Sequence, residues 1–172
     1  MSERIEMFFK DPNEKPSIPG TFGTLYLLRR DISSCFSSST LWPGAMCILA
    51  GFDLLGKFYD GSDSPGEVGE RFRRFLIDVA GCNVEESKIL YSLRNSMLHS
   101  FGLYDNRHHM TLTQDKCKFI YEKDSYYYIS VLLLYSKFEE SIENFKKIIL
   151  SENDAEIKFN SMFSNYGSIK ID

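Results

Sequence analysis

Between Met110 and Ser130 the hydrophobic pattern of this chain changes period. On both sides apolar residues recur at the spacing of an α-helix, whereas "MTLTQDKCKFIYEKDSYYYIS" alternates and is rich in Thr, Tyr, Phe and Ile. The two periods bury different faces, so a small β element must sit among helices. Polar clusters at 114–116 and 123–125 read as turns and divide it into a β-meander or two short strands. Upstream, Leu25, Leu28, Ile32 and Phe36 predict a helix within 21–36, which "SSST" breaks. A second helix runs from about Leu41 to Tyr59, with Ile48, Leu49, Phe52, Leu55 and Phe58 or Tyr59 on one side. Ser64-Pro65-Gly66-Glu67 reads as a capping box with proline at the first helical position, opening a helix that reaches Val79 and stops at Gly81. Asn83-Val84-Glu85-Glu86 opens another, running to Gly102. Downstream, Val131, Leu134, Phe138, Ile142, Phe145 and Ile149 form the stripe of a long amphipathic helix, and the tail from Glu152 predicts a last one. Pro12, Pro16 and Pro19 make residues 1–20 an extended arm. The expectation is an all-α fold: one up-and-down helical bundle over 21–172, with the meander inserted after the fourth helix.

At 172 residues this is one domain, large enough to bury a core without staples. A hydrophobic fraction of 43% with five prolines argues for a globular fold over disorder. The net charge of −4 excludes a diffuse basic coat, so any nucleic-acid contact must come from local patches. Cys35, Cys47, Cys82 and Cys117 lie far apart, with neither pairing context nor ligand spacing, which points away from disulfides and zinc and toward a reducing compartment. The first residues hold no apolar run of signal-peptide length. The most membrane-like stretch, "LWPGAMCILAGFDLLGKFY", carries Asp53 and Lys57 and reads as a buried helix, with Asp53 either paired with Lys57 at i,i+4, the favoured reading, or facing a cleft. The expected place is the cytoplasm, with no membrane partner.

The unusual residues fall on the helix opened at Asn83. On an ideal wheel with Ile89 at zero, Leu90, Leu93, Met97 and Phe101 fall between about 40° and about 120°, a core stripe. Arg94 flanks it at about 140°. Leu98 follows at about 180° and Tyr91 at about 200°. Asn95 lies at about 240° and His99 at about 280°. The face away from the core therefore mixes two apolar groups with an arginine, an amide and an imidazole. Tyr91 and Leu98 suggest a second packing surface, for another helix of the chain or a second copy. Asn95, one turn before His99, is placed to orient the imidazole. A plainer reading has Arg94 snorkelling over the core edge and His99 favoured by the helix C-terminus. Arg71, Arg73 and Arg74 cluster on the preceding helix, and Arg107, His108 and His109 follow the motif. Of these, Arg71, Arg74, Arg107 and His108 are candidate phosphate contacts.

The stretch "LRNSMLHSFGLY" resembles the R-x4–6-H signature of the HEPN superfamily (higher eukaryotes and prokaryotes nucleotide-binding), in the form where Asn follows the Arg: Arg94-Asn95-x-x-x-His99. The late position of the motif, with a long helix after it, is also similar, as is "GFDLLGKFY" to a helix of some bacterial members. The resemblance implies a metal-independent endoribonuclease without cofactor. Arg94 and His99 of two protomers would line one cleft, where the 2′-hydroxyl attacks the adjacent phosphate and leaves a 2′,3′-cyclic phosphate. It implies His99 as the proton-transfer group, Arg94 as the phosphate clamp and Asn95 as the orienting group. RNA and a second copy are the implied partners, with Tyr91 and Leu98 at the dimer interface. An antitoxin protein is a further one, since family analogy points to bacterial toxin–antitoxin or phage-defence systems. The alternative is a HEPN-like module that binds a nucleotide or a protein partner and cuts nothing.

Overall fold

The computed structural model describes residues 2–16, 18–105 and 107–171. Seven helices lie among them, and the central one is α3 (Leu41–Asp60), whose Ala45, Ile48, Leu49, Phe52, Leu55 and Phe58 are all buried. Around it pack α2 (Thr24–Ser37), α4 (Val68–Asp78), α5 (Val84–Ser100), α6 (Val131–Ser151) and α7 (Asn153–Tyr166). A helix so enclosed must be apolar most of the way round. It must also be slim where a neighbour crosses: a Cβ on Gly51 would stand 2.5 Å from the Phe138 ring of α6. By length and composition α3 could cross a membrane, yet half of its apolar window is buried inside this fold.

The chain is mostly helical, but all-α overstates it. Strands β2 (His109–Thr113), β3 (Ile120–Lys123) and β4 (Tyr126–Ser130) form a sheet, and β1 (Thr21–Gly23) pairs antiparallel with β5 (Ser168–Lys170). The three-stranded sheet is not a meander. Its order is β2-β4-β3, with β2 parallel to β4. The β3–β4 hairpin closes on Asp124 and Ser125, both at positive φ, which suits a tight hairpin turn. Strand β4 then offers its other edge to β2, a pairing that strand periodicity cannot specify. It also runs directly into α6: the Ser130 hydroxyl accepts from the Leu133 N–H at 3.2 Å and caps the helix.

Two predicted boundaries move. The arm contains a helix, α1 (Glu3–Phe8), and Ile5, Phe8 and Phe9 enter the core, where the Phe8 ring lies 4.5 Å from Phe58. Met1 and Ser17 of the expected arm lie outside the described residues. Helix α4 begins at Val68 after an uncapped Glu67, not at a Ser64 box, because the Ser64 hydroxyl and N–H turn to the Ser62 hydroxyl, at 2.9 and 3.2 Å. The Asn83 box is present as read: Asn83 accepts from the Glu86 N–H and Glu86 from the Asn83 N–H, each at 2.9 Å. The buried stripe of α5 is Ile89, Leu90, Leu93 and Met97. Phe101 leaves it: this residue ends the helix at φ 49° and is 75% exposed.

Candidate functional site

The capping box and the core stripe fix where α5 starts and how it is rotated, and so where Arg94 points. Its side chain is 13% exposed and reaches across to α3, where Nη2 donates to Asp53 Oδ2 at 2.5 Å. Nη1 donates to Asn95 Oδ1 and to His99 Nε2, both at 2.9 Å. The buried Nε has no hydrogen-bond partner among the described residues. A guanidinium has no acceptor, so Nε2 of His99 must present its lone pair. The proton of the neutral ring is then on Nδ1. His99 itself is exposed, in the last turn of α5.

The expected Asp53–Lys57 pair does not form. Lys57 turns to Asp63 at 3.0 Å, its Nζ 4.6 Å from the centre of the Tyr166 ring. Asp53 faces α5, where a forked guanidinium offers a better partner than a flexible ammonium on its own helix.

Arg71 and Arg74 are not available to a phosphate strand along α5. Arg71 is 2% exposed and already bonded within the chain, with Nη1 donating to the Ser64 carbonyl and Nη2 to Asp63 at 3.3 Å. Arg74 is paired with Asp60 and faces the side lined by Ile148 and Lys158. The neighbour between them, Arg73, is the one that turns toward α5. Its guanidinium lies 5.1 Å from the centre of the Tyr91 ring. Tyr91 is thus used within the chain: it packs on Phe72 at 5.7 Å, and a Cβ on Gly69 would stand 2.8 Å from it. Leu98, also half-buried, stands apart from the packed core, near exposed Phe101 and Tyr104 in the sequence.

Arg107 and His108 do line a groove, of about 570 Å³, with Arg73, Lys88, Ser92 and Asn95. His108 Nδ1 lies 3.2 Å from Ser92 Oγ and 3.4 Å from Asp105 Oδ2. Burial alone would raise the Asp105 carboxyl. Hydrogen bonds from Ser92, from the backbone of Arg107 and His108 and from the His108 ring outweigh it and hold Asp105 at about 2. Sequence reading placed Arg73 only in a cluster with Arg71 and Arg74 and missed Lys88, Ser92 and Asp105 here. The spacing Glu85, Lys88, Ser92, Asn95, His99 was the available signal, a polar stripe that continues into the motif. Cys35, Cys47, Cys82 and Cys117 are all free thiols, with burial pushing Cys82 up to about 11. No group of three metal-ligating side chains is found among the described residues.

No family model matches this sequence, no curated protein matches it, and no solved structure matches it.

Proposed function

We propose that this chain is an endoribonuclease of the HEPN type, working as a homodimer without metal or cofactor. The observation that carries the reading is the convergence of Arg94, Asn95 and His99 at the end of α5, backed by Asp53. Asp53 and Asn95 fix the guanidinium, so its orientation does not have to be found when substrate arrives. In the free chain the second Nη1 hydrogen is held by His99. A phosphate oxygen is the stronger, charged acceptor and takes that hydrogen. The exchange frees the Nε2 lone pair to remove the 2′-hydroxyl proton as that oxygen attacks phosphorus. The 5′-oxygen leaves as a hydroxyl, taking a proton from water, and the 2′,3′-cyclic phosphate remains. Arg94 stabilises the charge that builds on the phosphoryl oxygens.

The partner copy would bring a second Arg94 and His99, through the Leu98 side of α5. A role in toxin–antitoxin or phage defence, with an antitoxin partner, rests on the resemblance alone. One observation favours a non-catalytic nucleotide-binding module: Arg94 has intramolecular partners on both terminal nitrogens.

The test is cleavage of mixed RNA, with melting curves alongside. His99→Ala should melt like wild type, because the ring is exposed, and lose activity by about 10²- to 10⁴-fold. Arg94→Lys should fail too, since a point charge cannot serve Asp53, Asn95 and a phosphate together. Cleavage should survive EDTA. A wild type that cuts nothing moves the binding module ahead; a His99→Ala protein that cuts normally ends the catalytic reading.

A further inference from the structure

Of the eight arginines in this chain, Arg29, Arg30, Arg71, Arg74 and Arg94 each hold a carboxylate. Arg4, Arg73 and Arg107 hold none among the described residues, and two of these three, Arg73 and Arg107, line the groove along α5. Arg73 comes from α4 and Arg107 from the loop between α5 and β2. The polar stripe of α5 lines the same groove through Lys88, Ser92 and Asn95. The next step of that stripe is His99. The groove therefore leads into the candidate site, and Asn95 belongs to both.

The groove also holds a histidine of a particular kind. His108 is 17% exposed at its side chain, and the edge of its ring stands against Tyr127 at 5.4 Å. Asp105 stays ionised well into acid and can only accept, so Nδ1 of His108 carries the proton. Ser92 shares that same nitrogen, which rules out a serine nucleophile relay, since base and orienting carboxylate would need opposite ring nitrogens. What remains is Nε2, with no protein partner among the described residues. In the neutral ring it is a fixed acceptor waiting for a donor. A phosphodiester offers none. A ribose 2′-hydroxyl does, and it separates RNA from DNA.

We propose that this groove is the track for a single RNA strand, in which Arg73 and Arg107 hold backbone phosphates and Nε2 of His108 accepts a ribose 2′-hydroxyl. The ligand class rests on the ribonuclease reading; the contacts rest on the groove. From Ser92 to His99 the helix rises about 10 Å, so His108 serves a neighbouring nucleotide, not the reacting one. Two carboxylates also lie along the track. Glu85 pairs with Lys88 at 3.4 Å, and Asp105 is turned to His108 and the backbone N–H groups of Arg107 and His108. Arg73 and Arg107 are left to the strand.

The test uses His99→Ala protein, so that RNA stays intact, with oligouridylate and oligodeoxyuridylate of equal length as probes in fluorescence anisotropy. RNA should bind more tightly than DNA. Adding Arg73→Ala and Arg107→Ala should weaken both probes and flatten the salt dependence by about 0.7 per lost phosphate contact. Adding His108→Asn keeps a donor near the Nδ1 position for Asp105 and removes Nε2. It should weaken RNA about tenfold, with DNA unchanged. Arg107 is exposed, so its variant cannot owe its effect to misfolding. Equal binding of the two probes, a preference that survives His108→Asn, or an arginine pair that can be removed without loss would each overturn the proposal. Cleavage by the protein with His99 intact is scored separately. A chain that cuts nothing but shows this binding pattern fails the ribonuclease reading and keeps the track.

Discussion

Arg71 and Arg94 both reach from one helix to a carboxylate on another segment, and they end in different conditions. Arg71 is sealed at 2% exposure and ties Asp63, the Ser64 carbonyl and, more loosely, Glu67 into the turn before α4. Its partners are those of a splice between loop and helix. Arg94 keeps more contact with solvent, and one of its partners is an exposed imidazole that water or substrate can reach. Burial of a charge with all its hydrogen bonds made is a structural arrangement. A held guanidinium with one exchangeable partner is a poised one. The difference separates two arginines that look alike in sequence, each on a helix with an apolar neighbour on one side and a polar one on the other.

That contrast can be broken experimentally. Asp53→Asn should have the larger effect on chemistry. It removes the charge behind Arg94 and lowers cleavage by roughly 10- to 100-fold, the worth of one hydrogen bond to a charged group. Its melting temperature should move less than its rate. Arg71→Met should do the reverse. Losing its bonds to Asp63 and Ser64 costs about 2 kcal/mol, a fall in Tm of roughly 4–8 °C for a domain this size, with activity per folded molecule retained. If Arg71→Met kills cleavage at a temperature where the protein is folded, the two arginines are not the different things their surroundings make them.

Smaller effects sharpen the same contrast. Leu98→Asp places a charge on the half-exposed side of α5 and should shift the protein from dimer to monomer in sedimentation at micromolar concentration, with the Tm of the monomer nearly kept. A wild type that is already monomeric at that concentration removes the dimer from the proposal. The least effect is expected in acid. Asp105 is held at about 2 and Asp63 is also lowered, chiefly by the Tyr166 hydroxyl and then by Lys57 and Arg71. A carboxylate with a depressed folded pKa adds stability above its unfolded value of about 3.9, and that contribution is lost as pH falls toward about 2. Melting curves should therefore decline below about pH 4, and Asp105→Asn should shallow that decline.

Much of this was legible in the sequence, for reasons that differ by element. Helices α3, α5 and α6 declared themselves because their stripes are long and their buried residues regular. All six apolar residues assigned to the face of α6 are buried. Helix α1 did not, because six residues are fewer than two turns of pattern and prolines follow closely. The β1–β5 pair joins Thr21 to Lys170, and no local period encodes such a distance. The motif residues do meet, but through Arg94, which donates to both Asn95 and His99, whereas their spacing had suggested Asn95 as the group that orients the imidazole. The carboxylate behind them was assigned to the wrong partner, since Asp53 and Arg94 are 41 positions apart while Lys57 is one turn away. Arg71, Arg73 and Arg74 show the limit most plainly. A step of about 100° per residue sends neighbours to a core edge, a groove and an outer ion pair, and the cluster in the sequence is dispersed in space.

The joint at Ser130 has a consequence for the groove beside α5. Its hydroxyl donates to the Asp115 carbonyl at 2.5 Å and caps α6, so the sheet and the longest helix share one residue. Strand β2, bonded along β4, starts one residue after His108. Arg107 and His108 thus stand directly before a strand that is bonded along β4 and, through Ser130, joined to α6. A binding wall built this way surrenders its freedom when the chain folds, so little ordering entropy remains to oppose ligand capture. Association along this groove should depend on charge and hydrogen bonding, with only a small penalty for arranging the protein.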